Sequence, residues 1–201
     1  ECYATGGLFV MPSVRRSHER NFQFSQTDRF VEWMTCALRG QFVRVLRVHC
    51  AGDFYDVGYT KKWVRIAGLV PQVQIFCYTR SWRCDDIFPE LLRLARLPNV
   101  QLWWSLDRET GPAPLVQGVR RAYMAIDDAD AQTAPDDCDL VFRASTKTIL
   151  KKANGVQVCP PEQGVNRDPE ITCTKCGICW QARRPVWEAA LLGRIHKDLA
   201  A

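Results

Sequence analysis

Cys173-Thr174-Lys175-Cys176-Gly177-Ile178-Cys179 sets three thiols at a strict three-residue interval, with Cys159-Pro160 a short loop upstream. Thiolates are soft donors, and each two-residue linker lets the chain turn and return a sulfur to the same side. A Cys-x-x-Cys-x-x-Cys run with a remote Cys-Pro is a spacing that holds iron–sulfur clusters. Structural zinc more often takes two Cys-x-x-Cys knuckles, whereas the split here is three plus one. Spacing alone therefore leaves three chemistries open for Cys159, Cys173, Cys176 and Cys179: an iron–sulfur cluster, zinc as the alternative metal, or disulfides.

Such ligands need a scaffold, and the chain upstream predicts one. Residues 27–39 read as a helix capped by Thr27, with Phe30, Met34 and Leu38 on one face. Residues 42–49 are rich in strand formers, and Gly52-Asp53 breaks the run. A helix over 56–69 carries Tyr59, Trp63 and Ile66 on one stripe and is closed by Pro71. Strands follow at 73–79 and 100–106, with a helix at 85–97 between them. Residues 107–138 read mostly as loop with one strand near 119–126, and short apolar runs at 140–142 and 156–158 supply two more strands. Residues 159–184 form a cysteine-bearing loop, and 185–200 a closing helix with Pro185 in its first turn. Strand and helix alternating at this interval is the pattern of βαβ units and a parallel sheet.

In parallel α/β folds ligands gather beyond the carboxyl ends of the strands. Those ends carry His49, Gly52 and Asp53, then Tyr78, Arg80 and Ser81, then Ser105 and Asp107, and finally Cys159. Each also has a structural reading. His49 is as readily a satisfied structural residue, and Gly52-Asp53 a turn in which Asp53 caps the next helix. Tyr78, Arg80 and Ser81 fit ordinary loop positions, and Asp107 a local turn cap. Trp103-Trp104 reads as core or wall, and Cys36, Cys50, Cys77, Cys84 and Cys138 as buried or inert thiols.

Composition bounds the rest. With 201 residues, 47% apolar and 24% charged, the chain is long enough for a sizeable core without metal. It contains no apolar run long enough to span a bilayer and no basic-then-apolar leader, so the expectation is a cytoplasmic protein without a membrane partner. Ten cysteines then point to thiolate ligands and free thiols rather than a disulfide framework. The net charge of +5 is mild, and pairs such as Arg15-Arg16, Lys61-Lys62, Arg120-Arg121 and Arg183-Arg184 read as solvated surface, with nucleic acid a minor partner reading. Glu1-Cys2-Tyr3 lacks an initiating Met, so a domain of a longer protein is expected. Substrate, small molecule or peptide, and oligomeric state are not legible.

Together, Cys2-Tyr3-Ala4, the His49-Cys50-Ala51-Gly52-Asp53-Phe54 segment, Tyr78-Thr79-Arg80-Ser81 and the cysteine set Cys159, Cys173, Cys176 and Cys179 resemble the phage-type gene product eighty-eight proteins. These in turn resemble radical S-adenosylmethionine iron–sulfur proteins. That resemblance implies a partial (β/α)6 TIM-like barrel lacking its first strand, spanning residues 1–158, with a cysteine-rich cluster-binding extension over 159–201. It implies that Cys2 is the last cysteine of a triplet holding a [4Fe-4S] cluster, the others lying before Glu1. Gly52-Asp53 would meet the methionyl amine of S-adenosyl-L-methionine, and Ser105 and Asp107 its ribose hydroxyls. Cys159, Cys173, Cys176 and Cys179 would hold an auxiliary cluster. The implied activity is a radical-type enzyme; the competing reading is a non-catalytic phage or mobile-element protein with a structural zinc or iron–sulfur site.

Overall fold

The computed structural model describes residues 6–144, 148–164, 171–181 and 185. Cys2, the Arg183-Arg184 pair and the expected closing helix lie outside the described residues. The chain divides into two compact units, one holding Ser81–Val100 and the chain up to Ile75, the other Phe76–Arg80 and the chain from Gln101 onward.

The first unit opens with helix α1, Pro12–Gln26, in which Pro12 occupies the first turn and only Ser25 is buried. Its carboxyl end is closed from elsewhere: the Lys62 ammonium donates to the carbonyls of Ser25 and Thr27, each at 2.9 Å. Helix α2, Phe30–Gly40, buries Phe30, Val31, Thr35 and Leu38. Thr27 does not cap it as expected; its hydroxyl turns back and donates to the Phe24 carbonyl at 2.8 Å, so it ends α1 instead. Strand β1, Val45–Val48, is shorter than the predicted 42–49. Helix α3, Val57–Leu69, buries Tyr59, Trp63 and Ile66 on one stripe as predicted, and each such side chain is worth about 1.5–3 kcal/mol of burial. The residue that caps α3 is Asp56, accepting from the Tyr59 amide at 2.6 Å, and not Asp53.

Asn99 ties this unit together. It is buried, and its side-chain amide donates to the carbonyls of Ala67, Val70 and Val73, each at 3.1 Å. Ala67 lies in the last turn of α3 and Val70 and Val73 follow it, so one side chain ties the helix end to the loop after it. Helix α4, Phe88–Ala95, buries Leu91 and Leu94.

Strand β2, Gln74–Thr79, begins in the first unit and ends in the second. The second unit continues with β3, Val100–Leu106, and β4, Arg120–Ala125, paired in parallel with Trp103 opposite Arg120 and Ser105 opposite Ala122. A one-turn helix α5, Asp128–Ala131, precedes β5, Leu140–Arg143, which lies parallel to β4. Strands β6, Lys152–Ala153, and β7, Val156–Gln157, form a hairpin. Its turn residues Asn154 and Gly155 both have positive φ, +48° and +79°, as a two-residue hairpin requires. The chain then meets β5 through a parallel bridge between Val141 and Val158. The strand expected at 156–158 is thus divided between the hairpin and this single bridge.

The fold is α/β, and its sheet has five strands in the order β1-β2-β3-β4-β5. Strand β4, foreseen only as one strand within loop, is a full member of it. Among the described residues, no helix is long and apolar enough to cross a membrane.

Candidate metal centre and the strand-end polar groups

Register on β3 and β4 builds the platform on which the cysteine loop rests. Because Trp103 and Arg120 are Cα partners, their side chains emerge side by side on one face of the sheet. The Arg120 guanidinium lies over the Trp103 ring, 3.9 Å from its centroid. Tyr78 from β2 joins them, its ring 5.4 Å from Trp103 and edge-on to Phe142 of β5 at 5.2 Å. Arg120 and Arg121 are both buried, so this basic pair is not solvated surface. Asp139 compensates them, its carboxylate standing 3.5 Å from the Arg120 Nε and accepting from the Arg121 amide at 3.0 Å. The Arg121 side chain also pairs with Asp137.

The four thiols come from two segments of the second unit. Cys159 follows the Val158 bridge; its amide donates to the Val141 carbonyl at 2.8 Å, and its side chain is buried. Cys173 and Cys176 begin and end the one-turn helix α6, capped by the Thr172 hydroxyl, which accepts from the Lys175 amide at 3.3 Å. Gly177 closes that turn at φ +71°, and a Cβ there would come within 2.6 Å of the Gln181 side chain. The left-handed residue reverses the chain so that Ile178 and Cys179 fall onto the sheet. There the Trp103 Nε1 donates to the Cys179 carbonyl at 2.9 Å and Arg120 to the Ile178 carbonyl at 2.7 Å. Cys179 is buried, Cys176 half-buried and Cys173 exposed.

Burial pushes the Cys159 thiol up, and charge on Glu162, Cys179, Cys173 and Cys176 pushes it further. The Cys179 thiol is also raised, by burial first and by Cys173 and Cys176, while a hydrogen bond from Tyr78 and the charge of Arg120 act the other way. Charge on Cys173 and Cys176 thus counts against the thiolate form of both Cys159 and Cys179. Among the described residues, however, no three His, Cys, Asp or Glu side chains form a group able to hold a metal ion as they stand. The donor chemistry fits iron or zinc, whereas the ligand cage is not closed. All nine described cysteines are free thiols. Of those expected to be buried or inert, Cys77 and Cys138 are buried, and burial first, then Asp137, pushes Cys138 up to about 12. Cys36, Cys50 and Cys84 stand at the surface instead.

The strand-end polar residues fall into separate groups. In the first unit, His49, Asp53 and Ser81 are organised around the buried Phe54. The His49 ring meets Phe54 edge-on at 4.8 Å, the Asp53 carboxylate accepts from the Phe54 amide at 2.8 Å, and the Ser81 hydroxyl donates to the Phe54 carbonyl at 2.8 Å. His49 has φ +65° and Gly52 +89°, so the loop after β1 turns through two left-handed residues. The His49 Nε2 shares a hydrogen bond with the Tyr59 hydroxyl at 2.9 Å, and its Nδ1 has no partner among the described residues. Burial pulls its pKa down to about 4, with Asp53 drawing it up.

In the second unit, Arg80 and Asp107 form an ion pair at 2.7 Å. The other Asp107 oxygen accepts from the amides of Glu109 and Thr110 at 2.9 and 3.0 Å, so this carboxylate does close a local turn. Asp107 lies four residues beyond Trp103, about 13 Å along the strand. The Arg80–Asp107 pair and the Trp103 platform are therefore distinct places on one unit, and Ser105 sits between them in sequence. Trp103, Arg120, Asp139 and Glu162 carried no motif that marked them. Their partners lie far away in sequence, and only the buried position of a basic residue beside a tryptophan gives them away.

The family model described as Gene product 88 matches residues 1–182. The Gene 88 protein of Mycobacterium phage L5 is 24% identical over 166 residues, covering 80% of this chain and 60% of that protein. The Gene 88 protein of Mycobacterium phage D29 is 24% identical over 152 residues, covering 71% of this chain and 53% of that protein. The chain therefore spans only about half to three fifths of the length of these relatives. No solved structure matches. With a match that runs from the first residue past all four C-terminal cysteines, the chain belongs to the gene product 88 family.

Proposed function

We propose that the chain is an iron–sulfur protein whose Cys159, Cys173, Cys176 and Cys179 hold a [4Fe-4S] cluster. What supports this reading is the Cys-Pro and Cys-x-x-Cys-x-x-Cys spacing together with the burial of both Cys159 and Cys179 in the second unit, where burial first and then charge on neighbouring cysteines pushes each of these two thiols up. Raised pKa values favour protonated thiols, and a bound cation reverses the preference by taking the negative charge onto itself. Metal binding then supplies the free energy that closes the cage, as in other thiolate sites coupled to folding. A cluster there supplies electron transfer. The protein's part is to fix Cys159 on β5, to hold the Cys179 arm on Trp103 and Arg120, and to keep both sulfurs from water.

A finer reading adds the partial barrel of radical S-adenosylmethionine proteins and an enzyme that uses S-adenosyl-L-methionine. It is supported by the family resemblance and by a sheet whose strands follow chain order. Zinc in the same four thiolates is the second reading, favoured by the one-turn helix and glycine reversal between Cys173 and Cys179. Anaerobic reconstitution with iron and sulfide tests the choice. We expect four irons per chain and a brown protein, lost on Cys173→Ser or Cys176→Ser. One tightly held zinc and no colour would support the alternative. A 5′-deoxyadenosine product on chemical reduction with S-adenosyl-L-methionine would support the enzyme reading.

A further inference from the structure

We infer that the first unit carries a docking face for single-stranded nucleic acid, centred on Phe42 and the arginines around it. The face belongs to the other unit from the proposed metal centre and does not depend on it. It lies at the edge where β1, β2 and β3 begin. Backbone bonds set those starts side by side: the Gln74 amide donates to the Arg44 carbonyl and the Ile75 amide to the Asn99 carbonyl, each at 2.8 Å. The helix ends meet there too. Arg39, in the last turn of α2, donates to the Leu69 carbonyl at the end of α3 at 2.6 Å, and Asn99 holds the carbonyls of Ala67, Val70 and Val73.

Phe42 is the anomaly at this edge. Helix α2 ends in two bonds, the Val43 amide to the Leu38 carbonyl at 3.2 Å and the Phe42 amide to the Arg39 carbonyl at 3.3 Å, which is the Schellman arrangement. It puts Phe42 in the left-handed region at φ +52°, where glycine is usual because a Cβ crowds the backbone. Burial of the ring would offset that strain, yet Phe42 is 85% exposed. Within the chain it is strained and hides almost no apolar surface, the combination expected of a residue whose contacts lie outside the fold.

The surroundings say what would cover it. Arg39, Arg44 and Arg96 are all exposed, and Leu69 is 40% exposed. No acidic residue interrupts the sequence from Trp33 to Gly52, from Val57 to Cys84 or from Leu91 to Leu106. Arg39 and Arg96 suit the ends of α2 and α4, whose carbonyls attract cations, but Arg44 stands on no helix. A planar guanidinium fits a phosphate and an open aromatic ring fits a base, and single strands are bound by that pair of contacts. An acidic protein surface would answer the arginines, whereas nucleic acid supplies both the anion and the stacking face in every nucleotide. A second copy fits worst, since a symmetric contact would set arginine against arginine.

Fluorescence anisotropy of a labelled oligothymidylate, titrated with the whole chain at several salt concentrations, tests the inference. Phe42→Gly should weaken binding roughly 10–100-fold, as the loss of one stacked base does, and leave the salt dependence unchanged. It should also melt at or above the wild-type temperature, because glycine is at ease at this φ. Phe42→Tyr should keep the affinity. Arg44→Gln should flatten the slope of log K against log salt by roughly 0.7, the share of one phosphate contact. An oligonucleotide that does not bind, or that binds Phe42→Gly and Arg44→Gln as it binds wild type, overturns the inference. A Phe42→Gly protein that melts well below wild type overturns it too, because the ring would then serve the fold. So does polyglutamate bound as tightly as the oligonucleotide, or a dimer that Phe42→Gly dissociates, since either puts a different partner on the face. Metal loading of these variants should match wild type, so failure here leaves the metal-centre reading standing.

Discussion

Arg120→Met is the substitution that tests most severely how the fold supports the site. The guanidinium makes three contacts at once: a face-on stack with Trp103, a hydrogen bond to the Ile178 carbonyl, and an ion pair with Asp139. Both partners of the pair are nearly sealed from water, with side-chain exposures of 6% and 2%. Removing one member of such a pair leaves a buried charge without its counter-charge, at a cost of about 3–5 kcal/mol. Methionine fills most of the volume, so little cavity term is added. For a domain near 200 residues that loss lowers Tm by roughly 6–20 °C. It also frees the Ile178 carbonyl, so the cysteine loop should become sensitive to protease before the rest of the unit. Asp139→Asn in the same background should return about 1–3 kcal/mol, since the stranded charge is then gone. Thermal melts of the two single variants and the double variant, with limited proteolysis beside them, make the measurement. A loss below about 1 kcal/mol with no rescue by Asp139→Asn would refute the reasoning, because it would show the pair contributes as an exposed one does.

Two further outcomes follow from the first unit. Asn99→Ala should cost about 1–3 kcal/mol in urea denaturation by taking the side-chain donor from three buried carbonyls, two of which keep a backbone amide, and Asn99→Asp should be worse, because a carboxylate can only accept. Equal stability of Asp and Ala variants would contradict the assigned donation. His49 has a folded pKa near 4, below its ordinary 6.5, so the neutral ring favours the fold. Its contribution is whole above pH 6.5 and is lost as pH falls toward 4, to an upper limit of about 3 kcal/mol. His49→Asn, which tolerates the left-handed backbone, should remove that part of the acid dependence; parallel stability curves for both proteins between pH 7 and pH 4 would contradict it.

Much of the scaffold was legible because its residues obey simple periodicities. Strand β3 runs over 100–106 as read, and α3 buries the stripe of Tyr59, Trp63 and Ile66 that the helical period marks. Helix α1 escaped notice because it buries only Ser25, so no apolar face announces it. The Gly52-Asp53 break looks like a helix start and makes Asp53 a candidate cap for α3, yet the helix begins only after Asp56, which caps it. Composition makes Arg120-Arg121 read as surface, although alternation on β4 sends the two side chains to opposite faces, where Asp139 and Asp137 wait. At the candidate site, the thiol spacing was plain in the sequence. The platform beneath it was not, since Trp103 lies 76 residues from Cys179 and Arg120 58 residues from Ile178. Local pattern carries no information about contacts at that separation.

The proposed sharing of one inorganic centre by Cys159, Cys173, Cys176 and Cys179 is read directly by X-ray absorption at the metal edge. The expected spectrum for the reconstituted protein is an all-sulfur first shell near 2.3 Å, a distance typical of thiolate–metal bonds, with an iron–iron shell behind it. Replacing Cys159, Cys173, Cys176 and Cys179 together by serine should abolish the signal. A first shell of nitrogen and oxygen near 2.0 Å, or a sulfur shell that survives the fourfold replacement, would contradict the account.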